Sequence, residues 1–573
     1  MAVRKAKRRG PQAAAPAQAA PAGFWETRLH PFLERHSRVL ALFLVAIASI
    51  RIVATYAPLS LTFDEPGHFA CGLEYLSKHV YRYESQHPPL ARAATALGPY
   101  LAGARLIGGP QRDYEGVNVI KATGRVDRTV FLMRIGILPF FWLACVVVYS
   151  WSRRVASAGI AVLALAFFTL TPPVLAHAGL ATTDMAVTAC LLAAFHALLM
   201  WAESPSWRTG ALLGLTSALA ALSKFTALGY LPAAAVLALV FWVAAAGPAA
   251  RKVLELARGR WPTFAFAVLT GALAVWAAYW FSFGEVPGWH VSLPAPEFFD
   301  GARIAASHSE GGHGAYLLGE TSLKGWWYFF PVALAVKTPL ALLLLAVPGA
   351  WVIWKNRSRP GHLTVAAFSL GILLPAMASH VNIGVRHVLP IYGGLSILAA
   401  LGFARVASWA VTPKAALAFA AVPLLWAAIS GALSHPDYLA YFNELSGKEP
   451  EKILVDSDLD WGQETKRLAR RLRELGASHV ALKLNEQMIH EALYNLGSVS
   501  ALDASAPSAG WNVLSPTAWK HADTGPILTG TDAGSLMEAL NRPKPWYERV
   551  SPTERVGALL LYYVPAGSPL LKP

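Results

Sequence analysis

The chain of 573 residues is 55% hydrophobic and only 14% charged, with a mean hydropathy of +0.41; soluble domains carry about a quarter charged residues, so the composition points to a membrane protein. Its net charge of +15 would suit a nucleic-acid binder. The basic residues, however, sit in short loops between apolar runs, with no aromatic-interleaved basic stripe, and that distribution orients a membrane protein instead.

The first 36 residues open MAVRKAKRRG and continue rich in Ala and Pro. This predicts a disordered basic cytoplasmic tail, without the pattern of a cleavable signal. Crossing a bilayer takes about twenty apolar residues. By that rule about eleven spans are expected, at 39–57, 131–150, 155–175, 184–202, 207–222, 226–246, 263–283, 329–353, 363–379, 388–404 and 415–433. The basic clusters RKAKRR, Arg153–Arg154, Arg208, Arg251 to Arg260, KNRSR (355–359) and Arg405 to Lys414 then all fall on one side, the cytoplasmic one. Segments 58–130, 176–183, 284–328, 380–387 and the tail from 434 fall outside. Cys71 stands alone in a loop while Cys145 and Cys190 lie in apolar runs, so neither a disulfide framework nor a thiolate metal site is implied.

From about 447 the chain is less hydrophobic, and residues 447–573 are expected to form a small soluble domain. KILVDSD (452–458) reads as a strand, Asp460 to Gln463 as a capping box, ETKRLARRLREL as a helix stopping at Gly476, and SHVALKL as a second strand. The expected fold is thus all-α and polytopic over 37–433, with an α/β extracytoplasmic C-terminal domain.

LTFDEPGHFA (61–70) follows directly on the first span. Carboxylates at a membrane boundary are costly unless solvent, a partner or a substrate compensates them. Other ionisable residues lie at the same outer edge: Arg134, Asp184, Lys224, Lys337 and Arg386–His387. Singly, each has a plain reading. Asp64 and Asp184 suit helix N-termini, and cationic side chains near span ends snorkel. As a set, carboxylates beside cations suit transfer from a lipid phosphate. The departing phosphate needs cations, and a hydroxyl or amine acceptor needs a carboxylate to take its proton.

Five stretches strengthen that reading: LTFDEPGHFACGLEYLSKHVYRYESQHPPLARA, LATTDMAVTACLLAAF, YLLGETSLKGWWYFFPVALAVKTPLALLLL, NIGVRHVLPIYGGL, and HPDYLAYFNELSG with VDSDLDWGQETKRLARRL. They resemble membrane glycosyltransferases of the C-type fold, specifically the bacterial family 39 proteins related to protein O-mannosyltransferases and lipid A aminoarabinose transferases. The resemblance implies a polyprenyl-phosphate sugar donor, a protein, lipid or polysaccharide acceptor, and a bacterial inner membrane location. It implies Asp64 as catalytic base assisted by Glu65, with Asp184 as the second acidic residue. Arg134, Lys224, Lys337, Arg386 and His387 are expected at the donor phosphate, supported by His68, His87 and Glu320.

Two motifs invite a metal. DSDLDWGQ (456–463) fails as an EF-hand, since Trp461 and Arg467 stand where Gly and Glu are needed; it reads as structural. HSEGGHG (308–314) reads most simply as a flexible Gly-rich lid over the catalytic face. The sequence therefore assigns no metal ligands and no cofactor, while leaving a divalent metal open. The competing function is a transporter or flippase, which predicts charges on both sides and internal repeats; no repeat is seen and the charges are one-sided.

Overall fold

A computed structural model describes residues 24–248, 250–409, 413–484, 492–522 and 545–571. The chain is mostly helical, and each of the eleven apolar runs carries a helix. Among the described residues five helices are long and apolar enough to cross a membrane, or up to seven if two bent pairs each count once. Gly361–Met377, Ile391–Ala407 and Ala421–Leu433 are shorter apolar helices.

Both bends fall at proline, which cannot donate to the preceding turn. Ala158–Leu170 and Pro172–Ala178 meet at 68°, Phe329–Lys337 and Leu340–Lys355 at 115°. The central helices Ala158–Leu170, Asp184–Glu203 and Ile391–Ala407 are largely buried. Leu340–Lys355 lies hard against Ile391–Ala407 through two glycines. A Cβ on Gly402 would stand 1.9 Å from the Leu345 carbonyl, and one on Gly349 would stand 1.9 Å from that of Leu398. Small residues permit such approach where bilayer lipid gives helices no hydrophobic reason to associate. Ala250–Ala278, on the outside, instead exposes Trp261, Val268, Leu269 and Leu273.

Residues 1–23 of the expected tail lie outside the described residues. Helix begins at Trp25 and continues through His30–Ala54, so 25–36 are helical rather than disordered. Beyond the first span, helices Asp64–Lys78, Pro89–Leu101 and Arg112–Ala122 pack together. Residues 284–328 hold two short hairpins flanking the helix Pro296–Gly311.

The C-terminal region contains a five-stranded sheet in the order Ser498–Ala501, His479–Lys483, Gly510–Leu514, Leu559–Val564, Glu554–Val556. The first three strands are parallel and the last two join antiparallel. Leu468, Ala469 and Leu472 of helix Thr465–Glu474 pack on Val480, Val513 and Leu561. Two local expectations are corrected. KILVDSD forms short 3-10 turns at Pro450–Lys452 and Asp456–Asp458 instead of a strand, because its polar groups bond to neighbouring loops and not to a sheet edge. The capping box does not form. The Asp460 carboxylate accepts from the Ser515 hydroxyl, and Gln463 Oε1 accepts the Trp461 N–H at 2.8 Å.

Candidate active site

Asp64 opens the helix Asp64–Lys78, but its side chain caps nothing. It accepts a hydrogen bond from Arg386 Nη1 at 2.9 Å. The same nitrogen lies 3.9 Å from Asp184 Oδ2. Asp184 in turn accepts from Lys224 Nζ at 2.7 Å and from the Thr182 hydroxyl at 3.1 Å. One guanidinium thus links two carboxylates from segments 120 positions apart, and the Lys224 ammonium completes the charge balance.

Two loops fix Arg386. Gly384 has φ +147, and a Cβ there would lie 2.5 Å from Ser457 Oγ, so close approach requires glycine. The Val385 N–H donates to Asp458 Oδ1 at 3.0 Å, and the Ser457 hydroxyl donates to the Ile383 carbonyl. The guanidinium then stacks 4.1 Å over the Trp461 ring. Trp461 is tied to the Asp64 loop because the Phe63 N–H donates to its carbonyl at 3.0 Å. The motif dismissed as a cap is the wedge that holds the cation against the acid.

Asp64, Lys224 and Arg386 line a cavity of about 270 Å³ together with His87, His387, Asp456 and others, whereas Asp184 is fully buried and off its lining. Arg386 Nε and His387 Nε2 are buried and without a hydrogen-bond partner among the described residues. Burial would raise the Asp64 carboxyl, but Arg386 and then His68 outweigh it and hold it near about 2. The same two acids, Asp64 and then Asp184, raise Arg386 against the effect of burial. His387 is pushed well below its ordinary value by burial, then by Lys224 and Arg386, so its imidazole is neutral. Burial likewise lowers His87. The fixed positive charge facing the two acids therefore belongs to Lys224 and Arg386.

Other predicted site residues lie elsewhere. Glu65 and Arg134 are fully buried and pair twice, from Nε to Oε1 and from Nη2 to Oε2, each at 2.9 Å. Arg134 also donates to the carbonyls of Leu59 and Ser60 at 3.2 and 2.6 Å. Glu65 also accepts the N–H groups of Thr62 and Ala181 at 2.7 and 2.9 Å. The pair is spent on the backbone and does not line the cavity. Lys337 likewise donates to the carbonyls of Leu439 and Asp458. His68 accepts from Arg92 Nε at 2.9 Å rather than bonding to Asp64. Glu320 lies exposed on the hairpin strand Glu320–Ser322, off the cavity.

HSEGGHG is not a loose lid. His308 and Ser309 belong to the last turns of Pro296–Gly311 and line the cavity with His313. Among the described residues no group of three or more His, Cys, Asp or Glu is arranged to hold a metal. Sequence reasoning missed Asp456, Trp461, Arg112 and Gln86 as lining residues, while His308 and His313 belong to the stretch it set over the catalytic face. The available signal was three aspartates and a Trp-Gly within eight residues of an otherwise charge-poor chain.

No family model matches the chain, and no curated protein matches it. Among solved structures, it is similar to ArnT from Cupriavidus metallidurans bound to undecaprenyl phosphate, at 12% identity and TM-score 0.48, over 91% of this chain and 97% of that one. The Pmt1–Pmt2 protein O-mannosyltransferase complex of S. cerevisiae, bound to the sugar donor, matches at 17% identity and TM-score 0.34, over 46% and 35%. The oligosaccharyltransferase of Archaeoglobus fulgidus tethered to an acceptor peptide matches at 13% identity and TM-score 0.43, over 70% and 56%.

Proposed function

We propose that the chain is an integral-membrane glycosyltransferase that moves a sugar from a polyprenyl phosphate to a hydroxyl or amine acceptor on the extracytoplasmic face of a bacterial inner membrane. The observation that carries this reading is the Asp64–Arg386–Asp184–Lys224 chain at a cavity rim, with Arg386 Nε and His387 Nε2 still unpartnered. Two cations beside two acids provide for an anionic leaving group and for a base in one place.

The reaction is a single displacement with inversion. Asp64 takes the acceptor proton as the acceptor attacks the anomeric carbon. The bond to the phosphate oxygen breaks, and Arg386 and Lys224 stabilise the departing charge. While paired to Arg386, Asp64 is ionised but a weak base. A donor phosphate that draws on Arg386 loosens that pair and strengthens the base at the moment the electrophile is in place. Asp184 keeps Lys224 and Arg386 aimed at the rim.

The test uses membranes containing the full chain and a panel of polyprenyl-phosphate sugars labelled in the sugar. Label is expected to pass to a protein or envelope acceptor, bare polyprenyl phosphate to compete, and Arg386→Ala to lose transfer by about 100-fold or more. Absence of transfer from every lipid-linked sugar, with label instead carried intact across vesicles, overturns the reading.

A further inference from the structure

Asp456 differs from the other acids in and around the cavity. Asp64 and Asp184 each rest on a cation, and Glu84 beside the rim pairs with Arg92 and Arg112. Asp456 lines the same cavity, is part exposed, and has no ion-pair partner among the described residues. Its two neighbours in the motif are already committed: Asp458 accepts from the Val385 N–H and Asp460 from Ser515.

The backbone at Asp456 is held in an uncommon conformation, φ +59. Such values cost energy for a non-glycine residue and persist where surroundings impose them, often at functional sites. Here the surroundings are explicit. The Asp456 N–H donates to the Thr517 hydroxyl at 3.0 Å, and Ser457 is tied to Ile383. Asp456 Oδ1 accepts the Ser457 N–H, and the residue lines the cavity. Gln86 and Ser309, uncharged groups that donate and accept, line the same cavity.

We infer that Asp456 is a specificity-determining residue whose carboxylate accepts hydrogen bonds from hydroxyls of the transferred sugar. This rests on the transferase reading above. If the donor phosphate sits at Arg386 and the attacked carbon faces Asp64, the remaining ring hydroxyls have to meet a wall of the same cavity. A carboxylate that is near the Arg386 charge but not tied up in an ion pair is the strongest neutral-hydroxyl acceptor available there. It recognises the sugar and adds nothing to binding of the lipid phosphate.

The experiment compares full-length wild type, Asp456→Asn and Asp456→Gly in lipid nanodiscs. Binding is measured for bare polyprenyl phosphate and for a panel of polyprenyl-phosphate pentoses and hexoses. Wild type is expected to bind at least one sugar-bearing lipid more tightly than the bare one. Asp456→Asn should weaken that lipid about tenfold or more while bare lipid stays within about twofold. Asp456→Gly, which relaxes the φ, should show the same selective loss, separating side-chain recognition from backbone damage. Equal weakening of both lipids, no weakening, or a loss confined to amine-bearing sugars overturns this inference alone. Failure of wild type to bind any of the lipids overturns the transferase reading and this one with it.

Discussion

Arg386 is shared between two carboxylates, and that sharing sets how Asp64 answers to pH. The cation favours the charged form of Asp64, so its carboxyl lies near about 2, below its ordinary 3.8. A depressed acid contributes stability that is fully present above its unfolded value and is lost as pH falls through the folded one. The Asp64 contribution is therefore complete above about pH 4 and disappears toward about pH 2. Catalysis follows the same sign. With the base already ionised, kcat/KM should show no acid-side fall from Asp64 over about pH 5 to 8. Arg386→Gln removes the cation and leaves burial in control, so the carboxyl rises and the acid limb should move to higher pH. A pH–rate profile of that variant checks the shift, and an unmoved limb counts against Asp64 as the titrating group. The sequence showed these residue types at the right membrane edge, but Arg134 and Arg386 look alike in sequence. Which cation meets which acid is decided by tertiary packing.

At the level of elements, the Asp-Glu dipeptide divides its labour. Asp64 faces the cavity, whereas Glu65, one residue on, points inward to Arg134 and the N–H groups of Thr62 and Ala181. Successive residues on a helix point about 100° apart, so adjacent acids rarely serve one site. Removing one partner of a buried pair strands the other and costs about 3–5 kcal/mol. Glu65→Gln and Arg134→Ala should each lower the melting temperature in detergent strongly. The double change to Leu and Met should recover little of it, because the Leu59 and Ser60 carbonyls and the Thr62 and Ala181 N–H groups lose their partners. A stable single variant that fails only in transfer would return Glu65 to the chemistry. The apolar runs announced the helices because twenty apolar residues have few other uses. The two bends were legible only as prolines. The 456–463 segment was misread because its spacing imitates a cap, while its true partners, Ile383, Val385, Phe63 and Ser515, are far away in sequence.

For the whole molecule, the proposed topology sets the basic loops and the acid–base cluster on opposite sides of the membrane. The proposed topology, eleven crossings with the N-terminus inside, would put Ser358 in the cytoplasm and Ser505 outside; both are exposed. All three native cysteines are buried, so a membrane-impermeant maleimide should find little background. Ser505→Cys is expected to label in cells whose outer membrane alone is opened, and Ser358→Cys only after the inner membrane is breached. The reverse pattern would invert the chain and put the cavity on the wrong face for a periplasmic acceptor.

Everything chemical in this account converges on proton removal by Asp64. The most direct measurement is single-turnover transfer by Asp64→Asn with saturating lipid-linked sugar, alongside the affinity of that variant for the same lipid. Asn still accepts a hydrogen bond from Arg386 but takes no proton. The account predicts affinity within about threefold of wild type and a transfer rate lower by about 100-fold or more. Transfer at the wild-type rate would contradict it.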